Sequence, residues 1–219
     1  METVAARIYN AIKEQIIDGR CAPGSRLTEQ FIAAEFQSSR TPVREAMRQL
    51  VADGFAVFKP NSGTVVRQWT KLQMAEIFDL RILIESEITG LAARRISSQD
   101  IEELERLQDE IELGGADTGT ENTLRIGPLN REFHRVIAQA SQNERLVAML
   151  ANAIEIPIVQ QTFRRYTAAQ LARSFGHHRE LIDAMHAHNG DWAKSVMACH
   201  IHAAKHSLIG DPADASNEE

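Results

Sequence analysis

Residues 38–55 read SSRTPVREAMRQLVADGF, and this stretch decides the architecture of the first third of the chain. Pro42 follows Thr41 near the start. A proline is welcome in the first turn of a helix and disruptive later, so the spacing predicts a helix beginning close to Thr41-Pro42. Val43, Met47 and Leu50 then form an apolar stripe, and Asp53-Gly54 ends the element. Arg40, Arg44 and Arg48 lie four residues apart, which stacks them on one face, away from that stripe. Guanidinium groups in such a row can grip guanine O6 and N7 bidentately or hold phosphates. Ser39 and Thr41 stand where free helix N–H groups can join them in bonding phosphate. The alternative for any isolated arginine triplet is a solvated helix face.

The flanking sequence decides between these readings. Upstream, Val4, Ile8, Ile12 and Ile16 repeat every four residues and mark a first helix, followed by Gly19 and a turn at Pro23-Gly24. Thr28 is a candidate N-cap for a second helix through Phe31, Ile32 and Phe36, broken at Gln37-Ser38-Ser39. Downstream, residues 55–58 and 64–66 read as short strands joined by the turn-rich tip Lys59-Pro60-Asn61-Ser62-Gly63. Three helices followed by a β-hairpin is the winged helix-turn-helix order. At the wing, Gly63 would let the backbone approach a sugar-phosphate edge closely.

The chain has 219 residues and a net charge of −6. That average misleads: residues 1–69 carry more lysine and arginine than acid, and the rest is strongly acidic. A basic segment on an acidic body suits a protein that turns one face to phosphates. Cys21 and Cys199 form no CxxC pair and are expected as small buried hydrophobes in a reducing cytosol. No stretch approaches a membrane span of about 18 apolar residues, and the N-terminus has no apolar signal core. The expected location is cytoplasmic, with no membrane partner.

Beyond Lys71 the pattern is helical throughout. Helices are expected at about 71–95, 98–113, 123–141, 143–165, 168–188 and 191–208, with Thr70, Ser98, Asn143 and Asp191 as candidate N-caps. Gly190 is expected to stop one helix before Asp191, Gly114–Thr120 to form a loop, Pro128 to sit in a first turn and Pro157 to kink the fourth helix. The fold class is therefore mainly α. A winged domain spans 1–69, an all-helical bundle of about six helices spans 70–210, and an acidic tail at 211–219 is expected to be disordered.

All eight histidines fall at or after His134. Asn130 and His134 share one helical face, while His178 and His200 belong to two further helices. Imidazoles converging from three helices can hold a divalent metal, although distant histidines are more often unrelated core and surface residues. Arg81 lies among Phe78, Leu80, Ile82, Leu83 and Ile84 and needs an anionic partner if buried. That partner is either Glu85, four residues on, or the carboxylate of a bound effector.

Residues 12–66 resemble the DNA-binding domain of the GntR family of bacterial regulators. Pro23-Gly24 with Leu27, the 38–55 stretch and Gly63-Thr64-Val65-Val66 carry the resemblance. Residues 74–208 look like the all-helical FCD effector domain of the FadR branch, through FDLRILIE at 78–85, NREFHRVIAQASQN at 130–143, HRELIDAM at 178–185 and GDWAKSVMACHI at 190–201. Six helices in that part suggest the VanR-like subgroup. The resemblance implies that Arg40, Arg44 and Arg48 contact operator DNA, assisted by Thr41 and Gly63, with Ser39 joining them at the helix start. It implies a metal held by Asn130, His134, His178 and His200, and Arg81 as a clamp for a small organic or sugar acid. Asn130 stands where the family usually has Asp. A neutral oxygen there favours metals content with imidazoles, Zn²⁺ or Ni²⁺. A homodimer on double-stranded operator DNA is expected, because one winged unit reads only a half-site. The rival is an enzyme built on a histidine-bound metal, but no general base or nucleophile motif accompanies the histidines.

Overall fold

A computed structural model describes the backbone of residues 2–17, 19–115, 120–153 and 166–210, and the side chains of all of these but 120–125, 152 and 153. The described chain divides into two compact units, one ending at Thr70 and the other beginning at Lys71.

The first unit contains α1 (Val4–Ile17), β1 (Arg26–Leu27), α2 (Glu29–Glu35), α3 (Arg40–Ala52), β2 (Ala56–Lys59) and β3 (Gly63–Val66). Its core forms where the apolar stripes of three short helices meet: Ile8, Ile12 and Ile16 from α1, Ile32 from α2, and Val43, Met47 and Leu50 from α3. Phe55, Ala56 and Val66 close it from the sheet side. Val4, the first residue of the α1 stripe, stays exposed. Burying Leu50 alone is worth about 2–5 kcal/mol against truncation to alanine. The turn between α2 and α3 needs a left-handed residue, supplied by Gln37 at φ 48°.

The sheet has the order β1-β3-β2, all antiparallel, with Lys59 opposite Gly63 at the wing tip and Arg26 opposite Val65. The strand β1 was not expected: two residues are too few to show alternation, and only pairing with β3 defines it.

The second unit contains α4 (Lys71–Arg95), α5 (Ser98–Gly115), α6 (Thr120–Ala140), α7 (Glu144–Ala153), α8 (Ala168–His186) and α9 (Gly190–Ile209). Helix α4 lies along α9, and α5 lies against α6 and α8. Backbone contact between α4 and α9 depends on two glycines. A Cβ on Gly190 would come within 2.5 Å of both the Gly90 carbonyl oxygen and Arg94 Nε.

Several expected boundaries move. Gly190 is not a helix stop: it opens α9, and the N-cap is Asn189 rather than Asp191, its Oδ1 accepting from Trp192 N at 3.1 Å. Ser97, not Ser98, caps α5, accepting from the Asp100 N–H at 3.1 Å. The expected loop at Gly114 is shortened, because α5 runs through Gly115 and α6 begins at Thr120. Pro128 therefore falls inside α6 rather than in a first turn. It is exposed, so the carbonyl deprived of its N–H partner can be solvated. Asn143 caps α7 as expected, with Oδ1 accepting from Leu146 N at 3.2 Å. Pro157 and the acidic tail at 211–219 lie outside the described residues. Cys199 is exposed and Cys21 half-buried, so neither thiol is the buried hydrophobe expected. Among the described residues no helix is long and apolar enough to cross a membrane.

Candidate functional site

Two groups of residues carry chemistry, one in each unit. In the first, α3 turns Val43, Ala46, Met47 and Leu50 inward and leaves Arg40, Arg44 and Arg48 exposed along its outer face. Ser39 occupies the N-cap with extended backbone, and its side chain makes no cap hydrogen bond. Ser39 and Thr41 are both exposed. At the wing Gly63 has φ 76°, a conformation that favours glycine. Beside it stands Arg26, which sequence reasoning did not single out: its Nε and Nη2 lie 3.7 Å from where a Cβ on Gly63 would be. Arg26, Arg40, Gly63 and Thr64 line one groove between α3 and the wing, and Arg44, Arg48 and Phe58 line its neighbour.

Arg44 differs from the other arginines of the row in having a carboxylate partner. Its Nε donates to both oxygens of Glu29 on α2, at 2.9 Å each. That bond is the main reason the Glu29 carboxyl is held below the usual range, and it raises Arg44 in turn. The pair is solvent-exposed, so its stabilising effect is screened. Its consequence is geometric: Glu29 holds the guanidinium by its Nε.

In the second unit α6, α8 and α9 bring His134, His178 and His200 together. Each offers one ring nitrogen, and these atoms all lie within 4.8 Å of one another. The ring centroids of His178 and His200 are 4.9 Å apart, and those of His134 and His200 5.3 Å. Phe133 stacks on His178 at 4.2 Å between centroids and 12° between planes, fixing that ring.

Burial, followed by repulsion from neighbouring imidazoles, pushes His178 and His200 well below the ordinary histidine value. Both are therefore neutral at pH 7, as metal ligands must be. His178 Nδ1 lies 2.7 Å from Gln108 Oε1, and among the described residues its buried Nε2 meets no partner. Asn130 sits one turn before His134, is 5% exposed, and its Oδ1 also meets no partner. Buried polar atoms are normally satisfied, so orphaned acceptors beside clustered imidazoles fit a cation.

Glu85 on α4 sits behind this cluster. Its Oε2 lies 3.2 Å from His134 Nδ1, and its Oε1 accepts from Arg81 Nε at 2.7 Å. The internal Arg81–Glu85 pair offered by the sequence is thus present, with both side chains buried. Burial would raise the Glu85 carboxyl, but the Arg81 charge and the hydrogen bond from His134 outweigh it and hold it at about 2. Sequence reasoning missed Gln108 and read Glu85 only as a partner for Arg81, although both interrupt apolar helix stripes. His177 is half-buried, its Nδ1 lacks a described partner, and with Tyr166, Arg173, Ser174, His200 and Ser207 it lines a small recess against the cluster. Among the remaining histidines, His186 pairs with Glu105 at 2.9 Å and His188 lies 3.0 Å from the Ala93 carbonyl.

Comparison with known proteins agrees with both halves. Residues 4–66 match the model of the bacterial regulatory proteins, gntR family, and residues 76–203 match the FCD domain. The chain is 29% identical over 202 residues to the uncharacterized HTH-type transcriptional regulator YdhC of Bacillus subtilis, covering 91% of this chain and 89% of that one. It is 28% identical over 235 residues to the Exu regulon transcriptional regulator of Escherichia coli, covering 97% and 88%. Among solved structures E. coli McbR/YncC shares the fold, with TM-score 0.70, 24% identity and coverage of 92% and 95%. The chain belongs to the GntR family of bacterial regulatory proteins and carries an FCD effector-binding domain. It is a transcription regulator rather than an enzyme, in keeping with the relatives it matches.

Proposed function

We propose that this regulator is a cytoplasmic homodimer whose affinity for operator DNA is set by a small carboxylate effector, bound with a divalent metal in the helical unit. The observation that carries this reading is the buried cluster of His134, His178 and His200, with the unpartnered Asn130 Oδ1 on the helix of His134. These four residues would hold the cation, Zn²⁺ or Ni²⁺, because neutral imidazoles dominate the donor set. When bound, the metal supplies a Lewis-acid anchor for an effector carboxylate. Arg81 would meet the same acid with the edge of its guanidinium not given to Glu85.

Operator DNA would be read by Arg40, Arg44 and Arg48 in the major groove, with Ser39 and Thr41 on phosphate and Gly63, joined by Arg26, at the wing. The split into a winged unit ending at residue 69 and a helical unit from residue 70 is proposed as the functional division too. Leu72, Leu80 and Leu83 stand exposed on one side of α4, an apolar surface that a second copy would cover. The six helices expected from the sequence beyond residue 70 would place it in the VanR-like subgroup. Effector and operator are then linked by one coupling free energy, typically about 1–3 kcal/mol.

The test is a thermal-shift series on the chelator-treated protein with Zn²⁺ or Ni²⁺, each with and without a panel of organic and sugar acids. Acids that raise Tm only with metal, and that change the Kd for a duplex selected by the protein from a random library, support the reading. A protein that binds duplex but shifts with no metal and no acid overturns it, leaving a bundle that only dimerises.

A further inference from the structure

A line of hydrogen bonds runs from the molecular surface to the buried face of His178. Arg179, 40% exposed at its side chain, donates from Nε to Glu112 Oε1 and from Nη2 to Glu112 Oε2, at 2.8 Å each. Its Nη2 also donates to Asp109 Oδ1 at 2.6 Å. Glu112 Oε1 in turn accepts from Gln108 Nε2 at 2.9 Å. Gln108, fully buried, places Oε1 2.7 Å from His178 Nδ1. The four residues form two neighbouring pairs on facing helices: Gln108 and Glu112 one turn apart on α5, and His178 and Arg179 adjacent on α8.

The chemistry of these groups gives the line a direction. A guanidinium only donates and an ionised carboxylate only accepts. Glu112, filled by Arg179, therefore requires the amide NH₂ of Gln108 to face it. That leaves only the amide oxygen for His178, so Nδ1 must carry the imidazole hydrogen. The remaining nitrogen, Nε2, is left as a bare lone pair, and it is the buried atom without a described partner. The orientation of an amide and the tautomer of an imidazole are usually open choices; here the surface arginine settles both.

We propose that Gln108 is a positioning residue that fixes His178 as the Nδ1–H tautomer, oriented by Glu112 and Arg179, and thereby presents Nε2 as a ligand before any metal arrives. The purpose assigned to it rests on the metal reading above; the tautomer does not. A neutral amide does this without adding a second carboxylate to a cluster that already has Glu85 behind His134. Partners of this kind typically change metal affinity by about 10–100-fold when removed.

The experiment uses full-length, metal-free protein labelled with ¹⁵N-histidine. Long-range proton–nitrogen spectra give the tautomer of His178, and chelator competition gives the Zn²⁺ Kd. The wild type is expected as the Nδ1–H tautomer. Gln108→Met removes the acceptor, so His178 should lose that single tautomer and Zn²⁺ affinity should fall about 10–100-fold. If Gln108→Met does not fold, Glu112→Gln serves: an amide at 112 can donate or accept, the line loses its direction, and a second tautomer should appear. An Nε2–H tautomer in the wild type, or an unchanged tautomer in the variant that folds, overturns the proposal. Wild-type protein that shows the Nδ1–H tautomer but binds no Zn²⁺ overturns the metal reading instead and leaves the hydrogen-bond line standing.

Discussion

The two units place similar side chains in opposite surroundings. Each has an arginine paired with a glutamate: Arg44 of α3 with Glu29 of α2, and Arg81 with Glu85 behind the histidine cluster. The first pair is open to solvent and the second is buried. An exposed pair contributes little to stability and can give up its arginine to a DNA base at small cost. A buried pair is held by its surroundings, and removing one member strands a charge. The DNA-reading unit thus keeps its functional groups on the outside of a well-packed core, whereas the helical unit builds its site within the core itself.

The largest expected difference follows from that contrast. Glu85→Gln leaves Arg81 buried without its anion and should cost about 3–5 kcal/mol in urea unfolding. Glu29→Gln should leave the unfolding midpoint unmoved. The two tryptophans make the units separately visible, since Trp69 lies in the first and Trp192 in the second. Equal effects of the two substitutions would erase the distinction. Next in size, Arg44→Ala should weaken binding to a library-selected duplex by about 10–100-fold, the usual worth of one bidentate base contact. Its Zn²⁺ affinity should be unchanged, and retained specific binding would remove Arg44 from the base-reading set.

The smallest effect is graded with pH. His178 and His200 are held below the free-imidazole value of 6.5, so the unfolded chain takes up protons before the native state does. Stability of the metal-free helical unit should be full above about pH 6.5 and decline as pH falls below it. Glu85 acts in the same sense at lower pH: its contribution is present above the ordinary 4.5 and lost as pH falls toward its native value of about 2. The first unit contains no histidine and should stay level between pH 7 and 5.5. Urea midpoints of Trp69→Phe and Trp192→Phe proteins across that range measure the two separately; parallel declines would refute the assignment.

How much could be read in advance also divides along this line. The arginine row, its apolar counter-stripe and the hairpin are local patterns with periods of 3.6 and 2, so α3 and the wing stand where the sequence places them. The histidine cluster is non-local. Only Asn130 and His134 share a helix, and resemblance to the FCD domain brought His178 and His200 to them. Gln108 was overlooked, and Glu85 was read only as a partner for Arg81, because a helical stripe was read for its apolar members alone. Gln108 lies on the stripe Leu104, Leu107, Ile111, and Arg81 and Glu85 on the stripe Phe78, Ile88, Ala92; polar residues at such positions mark a buried network. Thr167-Ala168-Ala169-Gln170 was an equally legible capping box at the start of α8, and both of its reciprocal bonds are formed. Gly190 was misread because its role is set by α4 across the packing interface, which no local pattern reveals.

Diffraction from zinc-soaked crystals at the zinc absorption edge tests the central claim most directly. The account predicts one strong anomalous peak per chain, about 2.0–2.1 Å from a ring nitrogen of each of His134, His178 and His200, with the Asn130 side-chain oxygen nearest among the remaining protein atoms. A peak bound elsewhere, or none at this cluster under saturating zinc, would contradict it.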